Sequence, residues 1–298
     1  MRNSRLLLAP AVLAVAALAV SCSSSPDEEA DPAPAAEVDE DLAALLPDDI
    51  REAGVVSVGT EAQYPPYEFV DAADGETITG LDIDLLEAAA GTLGLEYELN
   101  NVAFDTLLPS LDSQRYDLVV AGITDSVERQ ANYDFVDYFS ADQAIIVAAG
   151  NPEGISEMSD LCGLTVSVLV DTSQQALLEA ENEASCEDDP IDILTQQTDT
   201  EALTQVQSER AAATLTQEAV GVYNASQIQG GAAFEVANEG PISGEPLGFV
   251  FAKGDDELRD AFQAALQSLV DDGTYADILD SWDVSLGALD EITVNGAE

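Results

Sequence analysis

The run VVSVGT, residues 55–60, decides the fold. It is short, apolar and rich in β-branched residues, and it stops at Gly-Thr, which reads as a buried strand ending in a loop. Helical spacing follows in IDLLEAAAGTLG (83–94), where Asp84 and Glu87 stand as a capping box. YELNNVA (97–103) reads as a second strand, FDTLLPSLDSQ (104–114) as a short helix and YDLVVAG (116–122) as a third strand. The order is therefore βαβαβ, which argues for an open α/β sheet.

The same alternation resumes farther along. LTVSVLV (164–170) reads as a strand running into the helix SQQALLEAENEA (173–184); ALTQVQS (202–208) is helical, and AAATLT (211–216) and LGFVFAKG (247–254) are strand-like. DELRDAFQAALQSLVDDGTYADILDSW (256–282) predicts an amphipathic helix with Leu258, Phe262, Leu266 and Leu269 on one face, then a second short helix. No internal repeat is visible.

Composition limits what such a chain can bind. With 298 residues and 46% hydrophobic content it can bury one large or two ordinary cores. There are 59 Asp and Glu against 8 Lys and Arg, a formal net charge of −51. Nucleic acid and anionic membrane surfaces would repel it. A single Lys, Lys253, and no His suggest an acidic coat suited to salty surroundings, where counterions screen the self-repulsion.

The N-terminus reads as an export signal over residues 1–21: Arg2 and Arg5, an apolar run from Leu6 to Val20, then small residues. The run is short for a membrane span. LAVSC (18–22) resembles a bacterial lipobox, which implies cleavage before Cys22 and lipid attachment to its sulfur; an ordinary signal peptide is the alternative. Residues 22–48, rich in Pro, Ala and acid and without apolar periodicity, are expected to form a disordered acidic tether. With Cys22 lipidated, Cys162 and Cys186 remain as one pair in an oxidising compartment, and a disulfide is their natural use. Closing a loop of about 25 residues would be worth roughly 3 kcal/mol in the chain-entropy model. The competing idea, a metal site, is poor with two thiolates and no histidine, and no metal or other cofactor is expected.

Six fragments then carry a resemblance: VGTEAQYPPYEF (58–69), GLDIDLLEAAAGTLG (80–94), FDTLLPSL (104–111), YDLVVAGITDSVERQ (116–130), DLCGLTVSVLVDTSQQ (160–175) and DDGTYADILDSW (271–282). In this order they resemble the family 3 extracellular solute-binding proteins, the amino-acid receptors of ABC importers. The resemblance implies a two-lobed, type II periplasmic-binding-protein-like α/β fold with a ligand cleft between lobes. Lobe 1 would span 49–142 and 247–298, and lobe 2 would span 143–246. It implies a monomer, lipid-anchored on the outer side of the cell membrane, that closes on a small carboxylate and delivers it to an ABC permease. Binding, not catalysis, is the implied role. A same-fold dehydratase-like enzyme and a sensory or interaction lipoprotein remain alternatives.

The resemblance also assigns the cleft. Arg129 falls where the family grips the ligand's α-carboxylate, a task for which a planar guanidinium fork is matched. The alternative is a surface arginine paired with one of many acids, worth about 0–1 kcal/mol. The Gly122 amide, the Thr124 hydroxyl, and Thr172 or Ser173 at a helix start are expected to assist. Tyr64 and Phe104 match the aromatic positions that sandwich the ligand, Tyr67 is either core or cleft rim, and Glu61 lies near the ligand's distal end. One position departs: Gln217 stands where relatives carry the Asp that takes the α-ammonium, with Glu218 beside it. A neutral amide would forgo about 1–3 kcal/mol of charge-assisted bonding. Either the register slips by one residue, or the ligand is not a plain α-amino acid.

Overall fold

Two sheets divide the chain, and the backbone crosses between them twice. The computed structural model describes residues 38–297. Helices α1 (Glu40–Ala43) and α2 (Asp48–Ala53) precede β1 (Val55–Thr60), and β2 (Gln63–Tyr64), β3 (Glu68–Val70) and β4 (Ile78–Thr79) form a small antiparallel sheet. Then come α3 (Leu81–Thr92), β5 (Glu96–Asn101), α4 (Leu107–Asp112), β6 (Leu118–Val119), α5 (Val127–Gln130) and β7 (Tyr133–Ala141). Past a single linking residue, Asp142, lie β8 (Gln143–Ala148), β9 (Thr165–Leu169), α6 (Ser173–Ala184), β10 (Asp192–Gln196), α7 (Asp199–Gln207), β11 (Ala213–Gln217), α8 (Glu218–Gln227) and β12 (Phe234–Val236). Strand β13 (Glu245–Ala252) returns, and α9 (Asp256–Asp272), α10 (Thr274–Ser281) and β14 (Thr293–Val294) complete the order.

The first sheet runs β14-β7-β13-β6-β1-β5 and the second β10-β9-β11-β8-β12. Pairing is parallel where helices connect the strands, β1 with β5 and β6, and β9 with β10 and β11. It is antiparallel around the crossings, where β13 pairs with β7 and β8 with β11. The fold is thus a two-lobed α/β architecture, and the strand-to-helix exits of both sheets are where a ligand would be met.

Each lobe has its own core. In lobe 1, Val56 and Val58 of β1 and Leu85 and Leu86 of α3 pack with Phe249 and Phe251 of β13. The α9 face closes that core: Leu258, Phe262, Leu266 and Leu269 are all buried, each worth about 1.5–3 kcal/mol. In lobe 2, Ile145, Val147, Val166, Val168 and Leu215 pack beneath Leu178 of α6. Cys162 and Cys186 are joined by a disulfide within that same cluster.

Several expectations need correction. Asp84 and Glu87 do not form a capping box, because α3 begins earlier, at Leu81, with Gly80 at its N-cap and no side-chain cap. Gly80 has φ 140°, and a Cβ there would lie 2.0 Å from the Tyr67 carbonyl oxygen, so close backbone approach selects glycine. Asp84 instead accepts a hydrogen bond from Trp282 Nε1 at 2.8 Å. The acidic stretch expected to stay a tether through residue 48 ends in structure: Asp39 caps α1, its amide donates to the Thr92 carbonyl, and Leu46 is buried. Residues 133–141 form a long buried strand, β7, that the alternation reading passed over. The export signal, Cys22 and the rest of the expected tether lie outside the described residues.

Candidate functional site

The exits of β1, β6, β9 and β11 converge on one small cavity. Tyr64, Phe104, Gly122, Thr124 and Arg129 line it from lobe 1, and Leu169, Thr172, Ser173, Gln174 and Gln217 from lobe 2. Eight of the nine residues expected in the cleft are therefore brought together; the ninth, Glu61, does not line the cavity. Its volume is about 10 Å³, scarcely that of one water. The lobes are closed on each other.

Among the described residues five hydrogen bonds involving side chains cross between the lobes at the cavity and explain the tight fit, one of them from the Gln217 backbone amide to Tyr64 OH at 3.4 Å. Tyr64 OH lies 3.2 Å from Thr216 Oγ1, and Thr124 Oγ1 lies 3.1 Å from Ser173 Oγ. Arg129 Nη2 donates to the Asp171 carbonyl at 3.0 Å, and Gln217 Nε2 donates to the Gly122 carbonyl at 2.9 Å. At about 0.5–1.5 kcal/mol net each, they hold the cleft shut by a few kcal/mol, roughly what a small ligand could replace.

Arg129 is positioned by its own turn. Ser126 Oγ accepts the Arg129 amide at 3.3 Å as the cap of α5, and Nη1 donates to the Thr124 carbonyl at 2.9 Å. The guanidinium thus grips two carbonyls from two lobes, and among the described residues no carboxylate forms an ion pair with it. Burial pulls its pKa below the ordinary value, opposed first by the charge of Glu245. Burial in turn raises Glu245, with Arg129 opposing. A half-buried cation without a paired anion favours an incoming carboxylate. On the facing wall, Thr172 caps α6 by accepting the Gln175 amide at 3.3 Å, and Ser173 opens the helix. The free amides and dipole there favour the same anion.

Gly122 plays a different part from the one expected. Its amide donates to Asp82 Oδ2 at 2.8 Å and is unavailable to a ligand; its carbonyl is what faces Gln217. With φ 53° it lies against Tyr64, where a Cβ would sit 3.3 Å from the ring. Tyr64 in turn stacks on Tyr67, at 5.9 Å between centroids, and Tyr67 is fully buried core. Gln217 is 2% exposed and in the cleft, whereas Glu218 is exposed and outside it.

Behind the cavity lies a group of buried acids. Glu61 is 2% exposed, its Oε1 lacks a hydrogen-bond partner, and burial followed by the charge of Asp199 pushes its pKa up to about 7. Asp199, 3% exposed at the start of α7, is raised to about 6 by burial and accepts from Asn224 Nδ2 at 3.4 Å. Asp82 is likewise raised to about 6 by burial, although Tyr138 OH and the Gly122 amide both donate to it. Sequence reading missed Asp82, Asp199, Leu169, Gln174 and the Asp171 carbonyl. Gln174 could have been found in the DTSQQ exit; the two acids carry no local signal, since tertiary packing places them. Among the described residues no group of three or more His, Cys, Asp or Glu is arranged to hold a metal ion.

A two-lobed clamp closing on a carboxylate-seeking cleft defines a class of solute receptor. The chain belongs to the bacterial extracellular solute-binding proteins, family 3, whose sequence profile matches residues 56–285. It is similar to the arginine-binding protein ArgT of Corynebacterium glutamicum, 33% identical over 86% of this chain and 83% of that one. It is also similar to the L-cystine-binding protein TcyA of Bacillus subtilis, 28% identical over 91% and 94%. Among solved structures, an ancestral arginine-binding protein bound to arginine superposes with a TM-score of 0.71, at 34% identity over 77% of this chain and 98% of that one.

Proposed function

We propose that this chain is the receptor of an ABC importer and captures an amino acid by closure of its two lobes. The observation that carries the reading is Arg129, a half-buried guanidinium that spans both lobes through carbonyls and has no carboxylate in an ion pair among the described residues. The ligand's α-carboxylate would take Arg129, the Thr124 hydroxyl and the N-terminus of α6. Tyr64 and Phe104 would flank its aliphatic part. The α-ammonium would meet two neutral acceptors, the Gly122 carbonyl and Gln217 Oε1, which lacks a hydrogen-bond partner.

Glu61 and Asp199 argue for a basic side chain. Neither lines the closed cavity, yet each is held above the ordinary carboxylate range and, among the described residues, neither pairs with a base, so a guanidinium or ammonium that reached them in the ligand-bound cleft would neutralise both. The arginine-binding names of similar proteins support the same choice. The dehydratase-like alternative would draw on Glu61 as a general acid near pH 7, whereas the similar curated proteins are named as binding proteins. Lipid attachment at Cys22, an extracytoplasmic location and a monomeric state complete the proposal. Calorimetric titration with arginine, lysine, glutamine and cystine tests it: arginine should bind most tightly, and absence of heat with all four would refute an amino-acid receptor.

A further inference from the structure

A second and larger cavity, about 520 Å³, lies at the hinge. Half-buried Trp282 of lobe 1 and half-buried Tyr223 of α8 in lobe 2 present its accessible aromatic faces, with buried Tyr67 and Phe139 beneath them and Ala219 and Val222 on the facing wall. Asp142, the linking residue between β7 and β8, lies at its edge, and its carbonyl accepts the Glu218 amide at 2.8 Å. An aromatic chain ties the walls together: Phe69 of lobe 1 sits 5.9 Å from both Tyr223 and Trp282. The size is that of a small-molecule pocket. Val222 and Leu286 offer apolar surface to it while 50% and 105% exposed.

Its charge is one-sided. Asp142, Glu218 and Asp283 are acidic, and among the described residues no basic one lines the groove. A flat apolar body could lie against Trp282 and Tyr223 while a cationic head met the carboxylates, an arrangement that attracts organic cations. We infer that the hinge groove is a second small-molecule site, selective for an organic monocation with a flat apolar body, and that its occupancy is coupled to closure of the lobes. Coupling follows because both lobes supply the walls, so an occupant makes different contacts in the open and closed arrangements. This site is distinct from the cleft and uses none of its residues.

Phenethylammonium is a suitable probe, since it has no carboxylate for Arg129. Trp282 is the single tryptophan of the chain and lines the groove, so its fluorescence reads the site directly. The expected result is a saturable fluorescence change at about millimolar probe or below. It should weaken about fivefold in Glu218→Gln, the scale of one exposed charge pair. Val222→Arg, at an exposed helix position that tolerates the change, should abolish it. Arg129→Ala should leave it intact, which separates this site from the cleft reading. Arginine and probe should change each other's affinity by one common factor. No saturable change, a change that persists in Val222→Arg, or equal binding of neutral phenylethanol would overturn the site. Independence of the two affinities would overturn its link to closure.

Discussion

Gln217 of lobe 2 donates its side-chain amide to the carbonyl of Gly122 in lobe 1, 2.9 Å away. In the proposed binding mode a ligand's amino group would seek the same acceptor, so the side-chain amide would be a neutral stand-in for the ligand. Ligand-free closure and binding would then compete for that oxygen.

Replacing that amide should invert the balance. Gln217→Asp cannot donate to the Gly122 carbonyl, which loosens the ligand-free closed form, and it adds a countercharge for an ammonium. Calorimetry should find ordinary α-amino acids bound about tenfold tighter. Glu218→Gln, at an exposed position outside the cleft, should change binding by less than about threefold, within the range of an exposed charge pair. The reverse ranking would make Glu218 the acceptor.

The buried acids predict a pH response. Glu61 ordinarily titrates near 4.5 and is pushed up to about 7 by burial and by Asp199, so the folded protein holds this proton more tightly than the unfolded chain. Stability from this group is complete below about 4.5 and is lost as pH rises through about 7. Glu61→Gln carries a permanently neutral side chain. It should melt higher than wild type at pH 8, and the two curves should converge toward pH 4.5. A constant difference across that window would exclude titration of Glu61.

Removing the disulfide should weaken lobe 2. Cys186 is 1% exposed in a packed cluster, and the bond closes a loop with a sequence separation of 24. Cys162→Ser with Cys186→Ser should lower unfolding free energy by about 3 kcal/mol in urea titrations. Reductant should destabilise wild type and leave the double variant unchanged.

Lipid attachment is tested by location. Cys22→Ala should move the protein from washed membranes to the soluble fraction, and retention in the membrane would refute the anchor.

Much of this arrangement was legible in local sequence because local physics dictates it. The helix SQQALLEAENEA has the bounds Ser173–Ala184 in the structure, since Thr172 caps its start. The α9 face is buried at every apolar position its spacing marks. The cleft residues came from the family resemblance, to which the strand exits VGTEAQY, VVAGIT and VLVDTSQ added support. What was hidden depends on distant partners. Asp82 reaches Gly122 across 40 residues of sequence and removes its amide from the cleft. Glu61 meets the field of Asp199 only after the lobes close, and no spacing in the sequence links them. Gly80 sets the start of α3 through its approach to the Tyr67 carbonyl, where a capping pattern three residues later misleads.

The central claim is that Arg129 clamps the ligand's carboxylate. Calorimetric titration of arginine into wild type, Arg129→Lys and Arg129→Ala tests it most directly. Loss of the guanidinium should cost about 2–5 kcal/mol of binding, in part because the ligand's charge would be buried without its partner. Arg129→Lys should fall between, retaining the charge and losing the planar fork. Arginine binding by Arg129→Ala within about threefold of wild type would contradict the account and leave Arg129 as an ordinary arginine worth no more than about 1 kcal/mol.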